Sequence, residues 1–361
     1  MIAEADIRAE ALRLQAGFIG AGAVPLQTSI LQPADLLLDL YGEDIRARAY
    51  VTSDPLRGEQ MLRPDFTVPV VQMHMADGAE PARYTYFGEV FRRQEEDMAR
   101  ANEYFQVGYE IFDRQNPAAA DAEVFAQIYT ALQGFSLRAA TGDIGILTAA
   151  VAGLRTTDAR KHALLRHVWR PNRFKALLEQ FSGRSPMPTG RSALLSANTA
   201  LEIDAPMIGL RHRDAIEARI ARLYAAAAVA PLSEAEVDLL DAILRVRDRV
   251  PKALASLRDI AIQMPALTPA LDRLEARMAA VTARGIAVET LDFEASYGRT
   301  SMEYYDGFVF GFYAEGRPDL PPIASGGRYD ALTLRLGQGC EIPAVGGVIR
   351  PDLTLDLRAS V

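Results

Sequence analysis

Residues 103 to 112 read Glu-Tyr-Phe-Gln-Val-Gly-Tyr-Glu-Ile-Phe, an aromatic-rich run that alternates in polarity as a strand does. Successive side chains on a strand face opposite ways. Phe105, Val107, Tyr109 and Ile111 therefore share the natural core face, and Gln106, Gly108 and Glu110 share the other. Gln106 and Glu110 stand about 13 Å apart by the rise per residue, with a hollow at Gly108 between them. On the preceding run, Gly88 and Arg92 share a face by the same alternation. A free amino acid needs acceptors for its ammonium, a donor for its carboxylate and a partner for its side chain. Asp65, Gln106 and Glu110 offer acceptors, and Arg92 offers a charge-assisted donor. The same pattern fits an ordinary sheet with one solvated face, and the pattern alone leaves both readings open.

These residues need a sheet to hold them. Strand signals fill residues 61–113, where RYTYFGEVF and EYFQVGYEIF are joined by the charged connection 92–102. Before them, Ile7, Ala11, Leu14 and Phe18 recur at helical spacing, which predicts a helix over 4–18 ended by glycines. VPLQTSILQP reads as extended and ADLLLDLY as a short helix. From about 118 to 280 the character changes to helical periods, and Ser233 with Glu236 forms a capping box. Strand signals return in GIAVETLDF, YYDGFVFGFYA, PPIASGGRYDAL and IPAVGGVI. Glycine is dense there, which lets a ligand or another backbone approach closely. The expected fold class is α+β: an antiparallel or mixed sheet with helices on one side, interrupted by a helical insertion. The expected division is 1–154 and 276–361 as two parts of one core, with 155–275 as the insertion.

Composition narrows the function classes. The chain has 361 residues and a net charge of −8, with no dense basic run, which disfavours a large nucleic-acid partner. No apolar run is long enough to span a membrane, and the acidic N-terminus is unlike a signal peptide, so the expected location is the cytoplasm. Cys340 is the single cysteine, and a buried thiol is favoured over a nucleophile. His162 and His167 are five apart, off the spacing for two metal ligands on one helix face, so no metal is expected. GFIGAG has the wrong spacing for a dinucleotide fingerprint, and there is no Walker A sequence. No cofactor is expected.

LRPDFTVPV (62–70), YFGEVFRRQ (86–94), EYFQVGYEIF (103–112), MEYYDGFVFGFY (302–313), GGRYDAL (326–332) and PAVGGVI (343–349) occur in the order seen in histidyl-tRNA synthetases. The chain resembles their class II catalytic core outside the helical block. That resemblance implies a histidine pocket. Asp65 and Thr67 match the groups that hold the α-amine, with Asp65 standing where the synthetases have glutamate. Arg92 matches the second-motif arginine, and Gln106 matches the glutamine that contacts the amino-acid backbone. Glu110 and Tyr305 match groups around the imidazole, with Tyr304 beside them, and Arg328 and Tyr329 belong to the glycine-rich segment. Pro25 sits where the dimer-forming first motif places its proline.

The departures are as informative. Where the synthetases carry a histidine-specific arginine, this chain has Thr300, next to Arg299. The third motif reads Arg350, Pro351, Asp352, Leu353, without its ATP-binding arginine, and another expected arginine falls at Asn102. Phosphate charge in adenylation needs fixed cations, so their loss implies no adenylation and no catalytic residue. No anticodon-binding domain is expected after the third-motif region, and no tRNA partner. A core that keeps the amino-acid pocket without ATP and tRNA equipment resembles the regulatory subunits of ATP phosphoribosyltransferase. Their properties imply a short-form catalytic subunit as partner, activation of it, histidine as inhibitory ligand, and a homodimer within a hetero-oligomer. Histidine would order the loops at 92–102 and 296–303. The alternatives are an active synthetase-like adenylating enzyme and a stand-alone histidine sensor.

Overall fold

In a computed structural model, the described residues are 2–35, 49–94, 100–197, 209–210, 212–299 and 304–359. Most of the expected helix at 34–41 lies outside them, as do the centre of the 92–102 connection and residues 300–303. The strands are β1 (Val24–Pro25), β2 (Leu31–Pro33), β3 (Val51–Asp54), β4 (Gly58–Leu62), β5 (Ala82–Phe91) and β6 (Glu103–Phe112). They continue with β7 (Leu137–Asp143), β8 (Arg247–Arg249), β9 (Asp292–Glu294), β10 (Phe308–Ala314), β11 (Ala324–Arg328) and β12 (Ala344–Ile349).

Among the described residues, the main sheet has nine strands in the order β1-β5-β6-β12-β11-β10-β7-β9-β8, and β2, β4 and β3 make a separate three-stranded sheet. Neighbours in the main sheet run antiparallel except β1 with β5 and β7 with β9. The architecture is α+β, as expected. β5 and β6 pair along their full length, from Ala82 opposite Phe112 to Phe91 opposite Glu103. That register sets Gly88 opposite Gln106 and Tyr86 opposite Gly108. On the other side of β6, Gly346 of β12 lies opposite Glu110.

The helices are α1 (Glu4–Gly20), α2 (Thr67–Asp77), α3 (Pro117–Ala131), α4 (Ile144–Ala152), α5 (Asp158–Leu165), α6 (Pro171–Ser182) and α7 (Thr189–Ala197). After them come α8 (Arg213–Ala227), α9 (Glu234–Arg245), α10 (Val250–Gln263), α11 (Thr268–Ala283), α12 (Asp330–Leu336) and α13 (Pro351–Ala359). Their starts follow local chemistry. The Asn116 side chain accepts from the Ala119 amide at 3.0 Å, and Pro117 follows in the first turn of α3. The Ser233–Glu236 capping box opens α9 as the sequence predicts. Of the expected α1 core positions, Ala11, Leu14 and Phe18 are buried and Ile7 is only half-buried.

One face of the sheet packs on α3. Phe308, Phe310 and Phe312 of β10 point the same way, and their rings surround Phe125 of α3 at centroid distances of 6.1, 5.3 and 5.3 Å. Beneath this layer lies a buried ionic network. Arg277 of α11 donates to Asp121 of α3 at 2.7 Å and to Asp143 at 2.8 Å, and Arg328 donates to the other oxygen of Asp121 at 2.7 Å.

Two expectations need correction here. The stretch 118–280 contains strands as well as helices, because β7 pairs with β10 along Leu137–Asp143 and β8 extends the sheet edge beyond β9. Within the expected insertion 155–275, β8 joins the sheet edge at Arg247, and just beyond it α11 supplies Arg277 to the core. Cys340 is exposed, not buried, and accepts from Arg114 Nη2 at 3.1 Å.

Candidate histidine-binding site

The face of β6 that carries Gln106, Gly108 and Glu110 is not solvated. Gln106 is 3% exposed and Glu110 1%. The hollow at Gly108 is also filled, because a Cβ there would overlap the ring of Tyr86, its cross-strand neighbour. Phe66 stacks on Tyr86 with ring centroids 4.3 Å apart and 13° between planes. This stack aims the Tyr86 hydroxyl at Glu110 Oε1, to which it donates at 2.7 Å.

Glu110 is the centre of the site. Thr67, the first residue of α2, donates to Oε1 at 3.1 Å, and the Tyr329 hydroxyl donates to Oε2. Gly346 leaves the room, since a Cβ there would overlap the Glu110 carboxylate. Burial pushes Glu110 up to about 7, against the pull of its hydroxyl donors. The carboxylate has about four lone-pair sites. Hydroxyls from Thr67, Tyr86 and Tyr329 engage three of them, which leaves capacity for one further donor.

The other expected residues gather around it, with one exception. Asp65 is buried and accepts from the Tyr304 hydroxyl at 3.4 Å. Arg92 Nε donates to the Pro64 carbonyl at 2.7 Å, which ties β5 to the Asp65 turn. Tyr305 is buried with its ring against Gly327, where a Cβ would come within 2.7 Å of it. Its hydroxyl pKa is raised by burial and then by the charges of Glu110 and Asp65, while Arg92 opposes them. Tyr304 meets Tyr305 and Tyr329 edge-on at 4.9 and 6.1 Å. The carbonyl oxygen Oε1 of Gln106 is buried with no hydrogen-bond partner. A buried acceptor left so costs free energy until a donor arrives.

Arg328 is the exception. Strand alternation sends it to the α3 side, where Asp121 and Asp330 hold its guanidinium and its Nη2 also donates to the Pro117 carbonyl at 3.0 Å. It supports the fold under the site and does not line it. Tyr86 is the residue that the sequence reading missed. Its parity with Gly88 on β5, and the need for a large ring opposite Gly108, could have found it. His74 is a core residue: it stacks on Phe112 at 4.0 Å and its Nδ1 meets the Tyr84 hydroxyl at 3.1 Å.

Residues at the expected departures from the synthetases can also be located. Arg350 is engaged by Asp352 at 2.8 Å and lies over the Tyr104 ring at 4.0 Å. Arg299 is buried, and its Nε donates to the Val168 carbonyl at 2.7 Å. Thr300 lies outside the described residues. Among the described residues there is no cluster of His, Cys, Asp or Glu fit for a metal, and no helix long and apolar enough to cross a membrane.

Sheet order and pocket together define a histidyl-tRNA-synthetase-like class II core. The family profile described as histidyl-tRNA synthetase matches residues 7–231 and 209–353. The ATP phosphoribosyltransferase regulatory subunit of Mesorhizobium japonicum is 33% identical over 344 residues, covering 89% of this chain and 90% of that one. The protein of the same name from Agrobacterium fabrum is 33% identical over 355 residues, 93% of each. Among solved structures, an ATP phosphoribosyltransferase regulatory subunit/histidyl-tRNA synthetase from Bacillus halodurans superposes with a TM-score of 0.67 at 21% identity, covering 98% of this chain and 79% of that one. A histidine–tRNA ligase subunit from Alicyclobacillus acidocaldarius gives a TM-score of 0.60 at 22% identity, covering 98% and 93%. The chain belongs to the family of ATP phosphoribosyltransferase regulatory subunits, on a histidyl-tRNA-synthetase-like fold.

Proposed function

We propose that this chain binds free histidine at the Glu110 site and uses it to regulate a short-form catalytic ATP phosphoribosyltransferase subunit, which it also activates. The observation that carries this reading is the pairing of Glu110 with Gln106. A carboxylate with one acceptor position left stands on the same strand face as a buried amide oxygen that lacks a donor. An imidazole N–H fits the first and an ammonium fits the second. Asp65, Thr67, Arg92, Tyr304, Tyr305 and Tyr329 complete the enclosure. The chain itself catalyses no reaction in this reading. Arg350 is already paired with Asp352, and Asn102 and Thr300 offer no charge for a triphosphate.

The active unit is a homodimer within the hetero-oligomer. Val24, Ile30 and Leu31, around the expected first motif, are exposed apolar side chains that a second copy would cover. A cytoplasmic location follows from this biosynthetic role. Titrating histidine into the assembled complex while following phosphoribosyl transfer tests the whole reading. The expected result is inhibition that needs this chain, with no inhibition of the catalytic subunit alone. Histidine-dependent exchange of pyrophosphate into ATP by this chain would instead establish an adenylating enzyme.

A further inference from the structure

The helical segment touches the site at one corner, between α5 and α6. Trp169 Nε1 donates to the main-chain carbonyl of Tyr305 at 2.9 Å. Its neighbour Val168 accepts from Arg299 Nε at 2.7 Å. Adjacent residues of one corner thus grip the chain at 299 and again at 305, on either side of residues 300–303. Arg299 also lies over the ring of Phe174 in α6, with its guanidinium carbon 4.9 Å from the centroid. Arg299 is only 4% exposed, and its Nη2 is buried with no hydrogen-bond partner. A buried guanidinium with an unmet donor is held less firmly than a satisfied one.

We propose that Trp169 and Arg299 are positioning residues for the Glu110 site, and that this corner couples ligand occupancy to the helical segment. The inference rests on the reading of the site as a histidine pocket. Tyr305 is buried close enough to Glu110 and Asp65 to feel their charges, so a ligand seated among them rests against its ring. The Tyr305 main chain is bound to the indole, so a ligand that firms the hold on Tyr305 also firms the hold on Trp169. The ligand then distinguishes two arrangements of the corner, which is what coupling between distant places requires. The neighbouring Val168 carbonyl holds Arg299, and Arg299 rests on Phe174, which extends the same constraint into α6.

Trp169 is the only tryptophan of the chain, so its emission reports one place. In the full chain, histidine should change that emission saturably, with the midpoint found by calorimetry. Histidine should also slow amide exchange in residues 171–182. Trp169→Phe keeps the packing and removes the donor, and should weaken histidine binding by roughly three- to tenfold, the scale of one neutral hydrogen bond. The slowing of exchange in 171–182 should be lost in the folded variant. Arg299→Met should likewise uncouple that exchange from histidine. If histidine binds by calorimetry but leaves both the emission and the exchange of α6 unchanged, the coupling is overturned while the pocket stands. If the wild-type chain takes up no histidine, the pocket reading fails and this inference with it. Should Trp169→Phe not fold, the wild-type emission and exchange decide alone.

Discussion

Glu110 is held ready by hydroxyls, and its titration shows what burial costs. Its pKa is raised from 4.5 to about 7, chiefly by desolvation. The folded chain therefore binds this proton more tightly than the unfolded chain does. Its contribution to stability is complete below pH 4.5 and is lost as pH rises through 7. Glu110→Gln removes that titration. Denaturant midpoints followed from pH 4.5 to 7.5 should fall less with rising pH in the variant than in wild type; parallel curves would show that Glu110 does not titrate there. That Gln106 and Glu110 share a face was legible because strand parity fixes it. The burial of that face was not, since it depends on Phe66, Tyr86 and α2 arriving from elsewhere in the chain.

The elements under the site are joined by charge as well as by packing. Asp121 of α3 accepts from Arg277 of α11 and from Arg328 at the end of β11, all buried. Removing the shared acceptor leaves Arg277 with Asp143 and Arg328 with Asp330 as their remaining carboxylates, two buried guanidinium groups each short of a partner. Asp121→Asn should lower unfolding free energy by roughly 3–5 kcal/mol in urea titration. A loss under 1 kcal/mol would mean that the arginines find other partners. Gly346→Ala probes the other face. Its Cβ would drive into the Glu110 carboxylate, so histidine affinity should fall at least tenfold, with a fold cost of about 1–3 kcal/mol. Unchanged affinity in calorimetry would show that the carboxylate can move without consequence. Long alternating strands such as β5 and β6 could be read from sequence. β7 and β8 could not, because Leu-Arg-Ala-Ala-Thr-Gly-Asp and Arg-Asp-Arg become strands only by pairing with β10 and β9. Arg328 was misplaced for want of the same parity argument that placed Glu110.

At the scale of the molecule, a synthetase-like core carries the proposed histidine site on one face and an aromatic and ionic support on the other. Histidine must prefer one state of the whole complex to shift its activity. The resemblance to the synthetases supplied the fold and suggested the ligand proposed above, and the residues at Thr300, Asn102 and Arg350 suggested the change of role. The helical segment gave no such signal, because its link to the site runs through main-chain carbonyls of Val168 and Tyr305, which any residue provides. The most direct measurement is a calorimetric titration of histidine into the isolated chain and into its Glu110→Gln variant. One saturable site per chain is expected for wild type, with binding weaker in the variant by about 1.5–3 kcal/mol, the worth of a hydrogen bond to a charged group. Equal affinities in the two proteins, or no heat from wild type at millimolar histidine, would contradict the assignment of this pocket.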